Sequence, residues 1–285
     1  MYSTSEKLIS WLFETKAVRV CPQDKPFWYT SGTIGPYYIN THFLYGSEEK
    51  ANDLLKIIDI EKYSFHTCPL KLLKITLENY EVDAIYRGLI DAMCDFIREH
   101  MDLSQIDYIS GGERRDWFFS LIIAQILNKP HITIYKDLKA VVSVDGKVED
   151  LQDITGKKVL HIADLITEAS SYERAWLPAL RNYGAEMKWS VVVVDRKQGG
   201  GELLEREGVK SYAMIAIDKT LFENVKNMGL IQPEQQKMLN DYIDNPKEAM
   251  KGFLKEHPEF MENALNGDSK TSERARLCID KKFYE

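Results

Sequence analysis

The sequence predicts an α/β protein with an open, mostly parallel sheet covered by helices on both faces. Short apolar runs, each about the length of a buried strand, alternate with stretches that carry apolar residues at helical spacing. This alternation is typical of strands joined through right-handed crossovers, which pair in parallel. The apolar runs lie at 106–110, 131–135, 158–162, 189–194 and 212–217.

The residues before this sheet predict a small N-terminal hood, placed at 1–60, ahead of an α/β core at 61–218. Residues 1–16 interleave charged and apolar side chains, which favours an amphipathic helix over a signal peptide. The aromatic segment 27–45 is broken by two glycine-containing turn signals and predicts a hairpin. Helical spacing over 47–100 predicts two or more helices.

Two polar regions complete the prediction. The stretch 136–153 contains the turn signal Asp145-Gly146 and is interpreted as either a hairpin or a mobile loop. After Asp218 the chain is polar and helix-prone, and its helical segments begin at prolines or acids. Residues 219–285 are therefore predicted to form a helical C-terminal extension.

Composition narrows the class of protein. The net charge of −7 argues against sequence-independent binding to nucleic acid, which needs a basic surface. The four cysteines lie far apart, without the spacing of a disulfide framework or a metal site. No stretch approaches the roughly 20 apolar residues of a membrane span. We therefore expect a cytoplasmic protein with no nucleic-acid or membrane partner and no metal held by its own side chains.

The loop after the 158–162 run is the strongest candidate for a binding site, because ligands of open parallel sheets bind beyond the carboxyl ends of the strands. Its hydroxyls and backbone amides converge at a helix start, where an anion is favoured. Asp164 is placed to accept hydrogen bonds from sugar hydroxyls. The alternative is that Thr167, Ser170 and Ser171 only cap the helix and that Asp164 is a solvated turn residue.

Three motifs resemble those of one enzyme family. The segment 159–167, Val-Leu-His-Ile-Ala-Asp-Leu-Ile-Thr, resembles the phosphoribosyl pyrophosphate motif of type I phosphoribosyltransferases. Residues 27–32 and 36–40 are similar to the N-terminal substrate hairpin of orotate phosphoribosyltransferases. Val194-Asp195-Arg196, followed by glycines at 199–201, resembles the family's Asp-Arg pair. The motifs occur in the family's order over residues 1–217.

This resemblance implies transfer of ribose 5-phosphate from phosphoribosyl pyrophosphate to orotate or a related base, in pyrimidine nucleotide biosynthesis. It implies that Asp164, Thr167, Ser170 and Ser171 bind phosphoribosyl pyrophosphate together with Mg2+. Lys136, Lys139 and Asp164 would be catalytic. Tyr38, Ile39 and Arg196 would bind the base, and a planar guanidinium suits the orotate carboxylate. The resemblance also implies a homodimer.

Arg114 and Arg115 are added to the phosphoribosyl pyrophosphate site from their charge alone. They follow Gly111-Gly112 at the position of the pyrophosphate loop, and two arginines beside paired glycines suit an anion. The alternative is a surface cluster in which these arginines form salt bridges with Glu113 and neighbouring acids.

The chain departs from the family pattern at several positions. Ala163 stands where one of two adjacent acids is usual, and Glu168 and Ala169 stand where small residues are usual. Arginine, histidine and lysine are replaced by Tyr135, Val141 and Thr30. The losses at Ala163 and Val141 favour an alternative function, a catalytically impaired protein of this fold that binds a nucleotide or a partner in a regulatory role, with the helices after Asp218 as its interaction surface. His161, among apolar neighbours, is interpreted as a packed residue.

Overall fold

The computed structural model describes residues 4–22 and 25–284. The helices are α1 (Thr4–Glu14), α2 (Glu48–Glu61), α3 (Cys68–Val82), α4 (Ala84–His100), α5 (Trp117–Ile126), α6 (Leu177–Asn182), α7 (Gly200–Arg206), α8 (Lys219–Asn227), α9 (Pro233–Asp244), α10 (Pro246–Glu256), α11 (Pro258–Leu265) and α12 (Ser269–Asp280). The strands are β1 (Val18–Val20), β2 (Phe27–Trp28), β3 (Ile34–Gly35), β4 (Tyr37–Ile39), β5 (Tyr108–Gly112), β6 (His131–Ile134), β7 (Ala140–Val144), β8 (Lys147–Asp150), β9 (Lys158–Ile166), β10 (Glu186–Asp195) and β11 (Lys210–Ala216). Short 3-10 turns lie at Thr41–Tyr45 and Leu103–Gln105, and a π-helical turn at Tyr172–Trp176.

Seven strands form one sheet in the order β11-β10-β9-β5-β6-β7-β8. The pairs from β11 to β6 are parallel, and β7 and β8 add an antiparallel edge. The predicted fold class, an open and mostly parallel α/β sheet, is confirmed. After β5 the chain forms β6 on one side of β5, and β9 later pairs with the other side of β5. The ends of β5 and β9 therefore form the switch point at which such sheets bind ligands.

The sheet is buried as expected for parallel strands that are covered by helices. Residues 191–194 of β10 form an uninterrupted valine run that is at most 1% exposed. Around α6, Trp176, Leu177 and Leu180 pack with Val159 and Ala163 of β9 in one apolar cluster. Continuous apolar runs thus become central strands.

The polar stretch 136–153 forms a hairpin. β7 pairs with β6 on one side and with β8 on the other, and Asp145 and Gly146 both adopt positive φ at the β7–β8 turn, as such turns require. The preceding turn is closed by the Tyr135 amide, which donates to the Lys139 carbonyl at 2.9 Å. Of the two interpretations of this stretch, the structure has the hairpin.

Contacts group the chain into two compact units. The first comprises Met1–Lys16 and Thr41–Ile217, and the second comprises Ala17–Asn40 and Asp218–Glu285. This grouping differs from the predicted bounds, because the hairpin strands β1 to β4 pack with the C-terminal helices and α2 packs with the sheet unit. In the second unit, for example, the Tyr37 ring lies 5.9 Å from that of Phe222 and 5.8 Å from that of Tyr242.

Over residues 4–22 and 25–284, we find no helix with the length and apolar character needed to span a bilayer.

The start of α4 gives a test of the first unit. Asp83 accepts hydrogen bonds from the amides of Ile85 and Tyr86. Its carboxylate also forms an ion pair with Lys50 at 2.8 Å. We expect Asp83→Ala to lower the free energy of unfolding by about 1–2 kcal/mol, because the N-cap is lost. Asp53→Ala, which removes an exposed ion pair with Lys56, should change it by less than about 0.5 kcal/mol. Urea unfolding measures both, and equal effects would contradict the capping role.

Candidate functional site

A cavity of about 280 Å³ lies at the switch point, beyond the carboxyl ends of β5 and β9. Most of the residues predicted for phosphoribosyl pyrophosphate and catalysis line it: Arg114, Arg115, Lys136, Asp164, Thr167, Ser170 and Ser171. A larger cavity, of about 500 Å³, lies between α3, α5 and the β7–β8 turn and contains none of the predicted site residues. The predicted residues of the β5 and β9 loops therefore share one concave site.

Asp116 holds the floor of this cavity together. One carboxylate oxygen accepts a hydrogen bond from the Gly112 amide at 3.0 Å, and the other accepts one from the Asp164 amide at 3.1 Å. The side chain thus joins the ends of β5 and β9. The sequence pattern does not single out Asp116, which stands among the acids near Arg114 and Arg115. The signal available was an acid just after a Gly-Gly strand end, where exposed amides need an acceptor.

A chain of buried polar groups continues from Asp116. His161 Nε2 lies 3.4 Å from an Asp116 oxygen, and His161 Nδ1 lies 2.9 Å from Ser110 Oγ. The His161 ring stacks on Trp176 with centroids 6.3 Å apart, and both Ser110 and His161 are fully buried. This burial agrees with the interpretation of His161 as a packed residue. Its polar contacts support the floor from below.

Asp164 is the carboxyl group that faces the cavity. Burial, followed by the nearby Asp116 carboxylate, raises the pKa of Asp164 to about 7, while Arg115 opposes the shift. Among the described residues, Asp164 Oδ2 is buried without a hydrogen-bond partner. An unsatisfied buried oxygen is costly, so a ligand hydroxyl or cation at this point would be favoured.

The two arginines of the β5–α5 loop have different environments. Arg114 forms an ion pair with Asp59 of α2, and Lys62 bridges Asp59 at 3.1 Å and Glu113 at 3.3 Å. The salt-bridge interpretation therefore describes Arg114. For Arg115, the described part of the chain offers no ion pair or side-chain hydrogen bond, so its guanidinium remains available to an anion.

These two arginines contribute to the lowered pKa of a buried histidine. His42, in the 3-10 turn after β4, has its pKa lowered to about 3 by burial and then by Arg115 and Arg114. The imidazole is therefore neutral at physiological pH. The sequence analysis did not single out His42, and its position in an aromatic segment carried no signal for it.

The two predicted catalytic lysines lie on the turn between β6 and β7 and point to different surroundings. Lys136 lines the cavity. The Lys139 ammonium instead lies 3.2 Å from Asp137 and over the Phe65 ring, 5.1 Å from its centroid, and Lys139 is not among the lining residues. The structure therefore brings Lys136, but not Lys139, to the other predicted residues.

Two family-expected polar positions have become part of the core. Tyr135 is 2% exposed and contacts Phe65 and Trp117 edge-on, with ring centroids 4.6 and 5.1 Å away. Val141 is also 2% exposed and pairs with Thr133 within the sheet. Both side chains are thus buried at positions where the resemblance leads us to expect an arginine and a histidine.

The loop after β9 keeps the backbone shape expected of an anion-binding turn. Ala169 adopts a φ of 57°, a left-handed conformation that glycine tolerates best, and is buried. The Arg174 guanidinium donates to the Ser170 carbonyl at 3.1 Å and to Ser170 Oγ at 3.3 Å. Glu168 is exposed and does not line the cavity, so water screens the repulsion expected between its carboxylate and a phosphate.

Within the glycine run at 199–201, Gly200 packs closely against this loop. A Cβ on Gly200 would lie 2.5 Å from the Thr167 carbonyl oxygen, so only glycine allows this approach. Arg196, just after β10, is partly exposed, and its amide donates to the Ile166 carbonyl at 3.0 Å. Tyr38 and Ile39 lie on β4, in the second unit.

Comparison with curated proteins identifies relatives of one kind. A 93-residue region is 33% identical to orotate phosphoribosyltransferase of Saccharolobus solfataricus and covers 33% of this chain and 47% of the relative. A 113-residue region is 33% identical to orotate phosphoribosyltransferase of Pyrococcus horikoshii and covers 40% and 59%, respectively. The chain thus spans between about half and three fifths of the length of these relatives. A scan against protein-family models finds no match.

Solved structures share the fold. UMP synthase of Leishmania donovani superposes with a TM-score of 0.57 and 19% identity, covering 85% of this chain and 42% of that one. Orotate phosphoribosyltransferase of Francisella tularensis superposes with a TM-score of 0.53 and 16% identity, covering 82% of this chain and 96% of that one. The curated relatives and the shared fold confirm the family resemblance drawn from the motifs.

The raised pKa of Asp164 predicts how stability depends on pH. Between about pH 4 and pH 7 the unfolded state carries Asp164 as a carboxylate while the folded state holds it protonated, so unfolding releases a proton. Stability from this group is therefore full below pH 4 and is lost as the pH rises through 7. We expect Asp164→Asn to remove this loss. The melting temperature of the variant should therefore rise relative to that of the wild type as the pH increases from 5 to 8.

Differential scanning calorimetry of both proteins across this range makes the measurement. Asp145→Asn, at an exposed turn position, is the control and should follow the wild type throughout. A constant difference in melting temperature between Asp164→Asn and the wild type would contradict the assignment.

Proposed function

We propose that this chain, a relative of the orotate phosphoribosyltransferases with the type I phosphoribosyltransferase fold, transfers ribose 5-phosphate from phosphoribosyl pyrophosphate to orotate or a related base. The proposal includes a place in pyrimidine nucleotide biosynthesis. One observation carries it: the cavity at the β5–β9 switch point combines a hydroxyl-bearing loop, three cationic side chains and a buried carboxyl oxygen that has no hydrogen-bond partner among the described residues. Each of these suits a different part of the ligand.

The phosphate end is assigned to the loop after β9. Thr167, Ser170 and Ser171 line the cavity, and loop amides and hydroxyls of this kind bind phosphate oxygens. Arg174 fixes the backbone and side chain of Ser170, which reduces the reorganisation needed on binding.

The pyrophosphate end is assigned to the cations opposite. Arg115 and Lys136 both line the cavity, and charge-assisted hydrogen bonds to phosphate are about twice as strong as neutral ones. Arg114 lines the same cavity, but its ion pair with Asp59 limits its part in binding.

The ribose is assigned to Asp164. A sugar hydroxyl would donate to the unsatisfied Oδ2 atom and so remove the cost of leaving it unpaired. Asp116 positions Asp164 by accepting a hydrogen bond from the Asp164 backbone amide. A second carboxyl group thus stands beside the ribose site although Ala163 has none.

In the reaction, the bond from ribose C1 to the pyrophosphate oxygen breaks, and the pyrophosphate leaves with the electron pair. A bond forms between C1 and N1 of the base, which loses its proton. Lys136 and Asp164 are the proposed catalytic residues, because both line the cavity and Lys139 does not. The cations would stabilise charge that grows on the leaving group. Arg196 is proposed to bind the carboxylate of orotate. From the family resemblance, backbone groups of Tyr38 and Ile39 are also proposed to bind the base.

Magnesium is proposed to accompany the pyrophosphate, whose negative charge it would neutralise. The described side chains do not fit a protein-held site, because they form no group of three or more histidine, cysteine or acidic residues able to hold a metal ion. The ligand's own phosphate oxygens would have to carry the ion. We further propose a cytoplasmic homodimer, in line with the family resemblance.

A second function is favoured by the core positions of Tyr135 and Val141. With both buried, the turn between β6 and β7 presents fewer charged groups than the family pattern, while the cavity keeps its anion-binding residues. A protein that binds a phosphorylated ribose ligand without turnover, and so acts as a regulator, would have these properties.

One experiment separates the two functions. Calorimetric titration with phosphoribosyl pyrophosphate and Mg2+, followed by an orotate depletion assay, should show binding and turnover if the first proposal holds. Binding without depletion of orotate would favour the regulatory protein. Absence of binding would refute both.

Arg115 gives a residue-level prediction. We expect Arg115→Met to weaken binding of phosphoribosyl pyrophosphate by about 10- to 100-fold, the loss of one charge-assisted contact to phosphate. Arg206→Met, on the exposed face of α7, is the matched control and should bind as the wild type does. Titration calorimetry measures both variants, and equal affinities would remove Arg115 from the site.

A further inference from the structure

The C-terminal helices and the aromatic hairpin belong to the same compact unit. β2 pairs with β3, and β4 pairs with β1, so the hairpin consists of strands of only two or three residues. Such short strands are marginal on their own and need packing against another element. In this unit that element is the set of helices after Asp218.

The first contact is at Trp28. Its carbonyl accepts a hydrogen bond from Arg274 Nη1 of α12 at 2.9 Å, and its indole stacks on Phe260 of α11 with centroids 5.6 Å apart and planes 12° apart. Both the backbone and the side chain of one hairpin residue are therefore held by the extension.

The second contact is at the other strand of the hairpin. The Ile34 amide donates to the Tyr284 hydroxyl at 2.9 Å, and that hydroxyl donates to the Ile34 carbonyl at 3.3 Å. The turn between the strands is packed as closely. A Cβ on Gly32 would lie 2.9 Å from Leu277 Cγ, and the φ of Gly32 is +85°.

These contacts lead to Tyr38, a residue proposed to bind the base. The Tyr38 hydroxyl donates to the Trp28 carbonyl at 3.4 Å, the same oxygen that Arg274 holds. The Tyr38 ring contacts Phe27 and Tyr29 edge-on, each with centroids 5.4 Å apart. A shift of the Trp28 carbonyl would therefore disturb the Tyr38 side chain, which lies on β4.

We propose that Arg274 and Tyr284 are positioning residues for base recognition, and that the C-terminal extension is a built-in part of the base-binding element. The inference rests on the proposed function, because it assumes that the Tyr38–Ile39 segment binds the base. It assigns the last residues of the chain a role in the affinity for the base.

The test uses the full chain with a matched pair of variants. Arg274→Met removes the contact with Trp28 and keeps much of the apolar stem. Arg276→Met changes the same residue type two positions along α12, on an exposed site. Tyr284→Phe removes only the hydroxyl that holds Ile34. Orotate and phosphoribosyl pyrophosphate with Mg2+ are titrated separately, and amide hydrogen exchange is followed over residues 27–39.

We expect Arg274→Met and Tyr284→Phe to weaken orotate binding by about tenfold, the scale of one lost hydrogen bond to a positioned group. Both should speed hydrogen exchange at residues 27–39 and leave the affinity for phosphoribosyl pyrophosphate unchanged. Arg276→Met should match the wild type in all three measurements.

Three results would overturn the inference. Unchanged orotate affinity in Arg274→Met and Tyr284→Phe would reject the positioning role while leaving the proposed function intact. Equal weakening of both ligands would indicate a general loss of structure instead of base positioning. A wild-type protein that binds neither ligand would refute the proposed function itself, and the base-positioning role with it.

Discussion

The site depends on the carboxylate of Asp116, which accepts backbone hydrogen bonds from the ends of two adjacent strands. The β5–β9 pairing stops at Ser110 and His161, so amides beyond that point need other acceptors. Asp116 satisfies one amide from each strand and thereby sets their spacing. It also places a negative charge beside Asp164, which raises the pKa of that carboxyl group. One side chain therefore determines both the shape and the electrostatics of the floor.

Charge around the cavity is distributed unlike the family pattern. Tyr135 and Val141 are buried in the core, and Arg114 is engaged by Asp59. What remains for an anion is Arg115, Lys136 and the loop after β9. Binding needs only complementary charge in the ground state, whereas catalysis needs groups aimed at charge that develops in the transition state. Under the proposed function, the altered residues would therefore bear more heavily on turnover than on binding.

In the second unit, the hairpin packs against the C-terminal helices. Strands of two or three residues lack the hydrogen bonds and buried area for independent stability, so the hairpin relies on aromatic packing with the C-terminal helices. Tyr37 contacts Phe222 and Tyr242, and Trp28 stacks on Phe260. The extension that the sequence suggested as a partner surface is thus engaged within the chain. Its contacts are with the segment that carries Tyr38.

The sequence by itself determined the fold class and the identity of the β9 loop, because strand and helix periodicities and turn residues are local signals. It also predicted that Asp164, Thr167 and Ser170 would share a site. Only the tertiary structure distinguished Arg115 from Arg114, placed Asp116 beside Asp164, and grouped the hairpin with the last helices. Those outcomes rest on contacts between residues distant in sequence, such as Asp116 with Asp164, 48 positions apart. Spacing along the chain does not encode such contacts; the packing of strands and helices decides them.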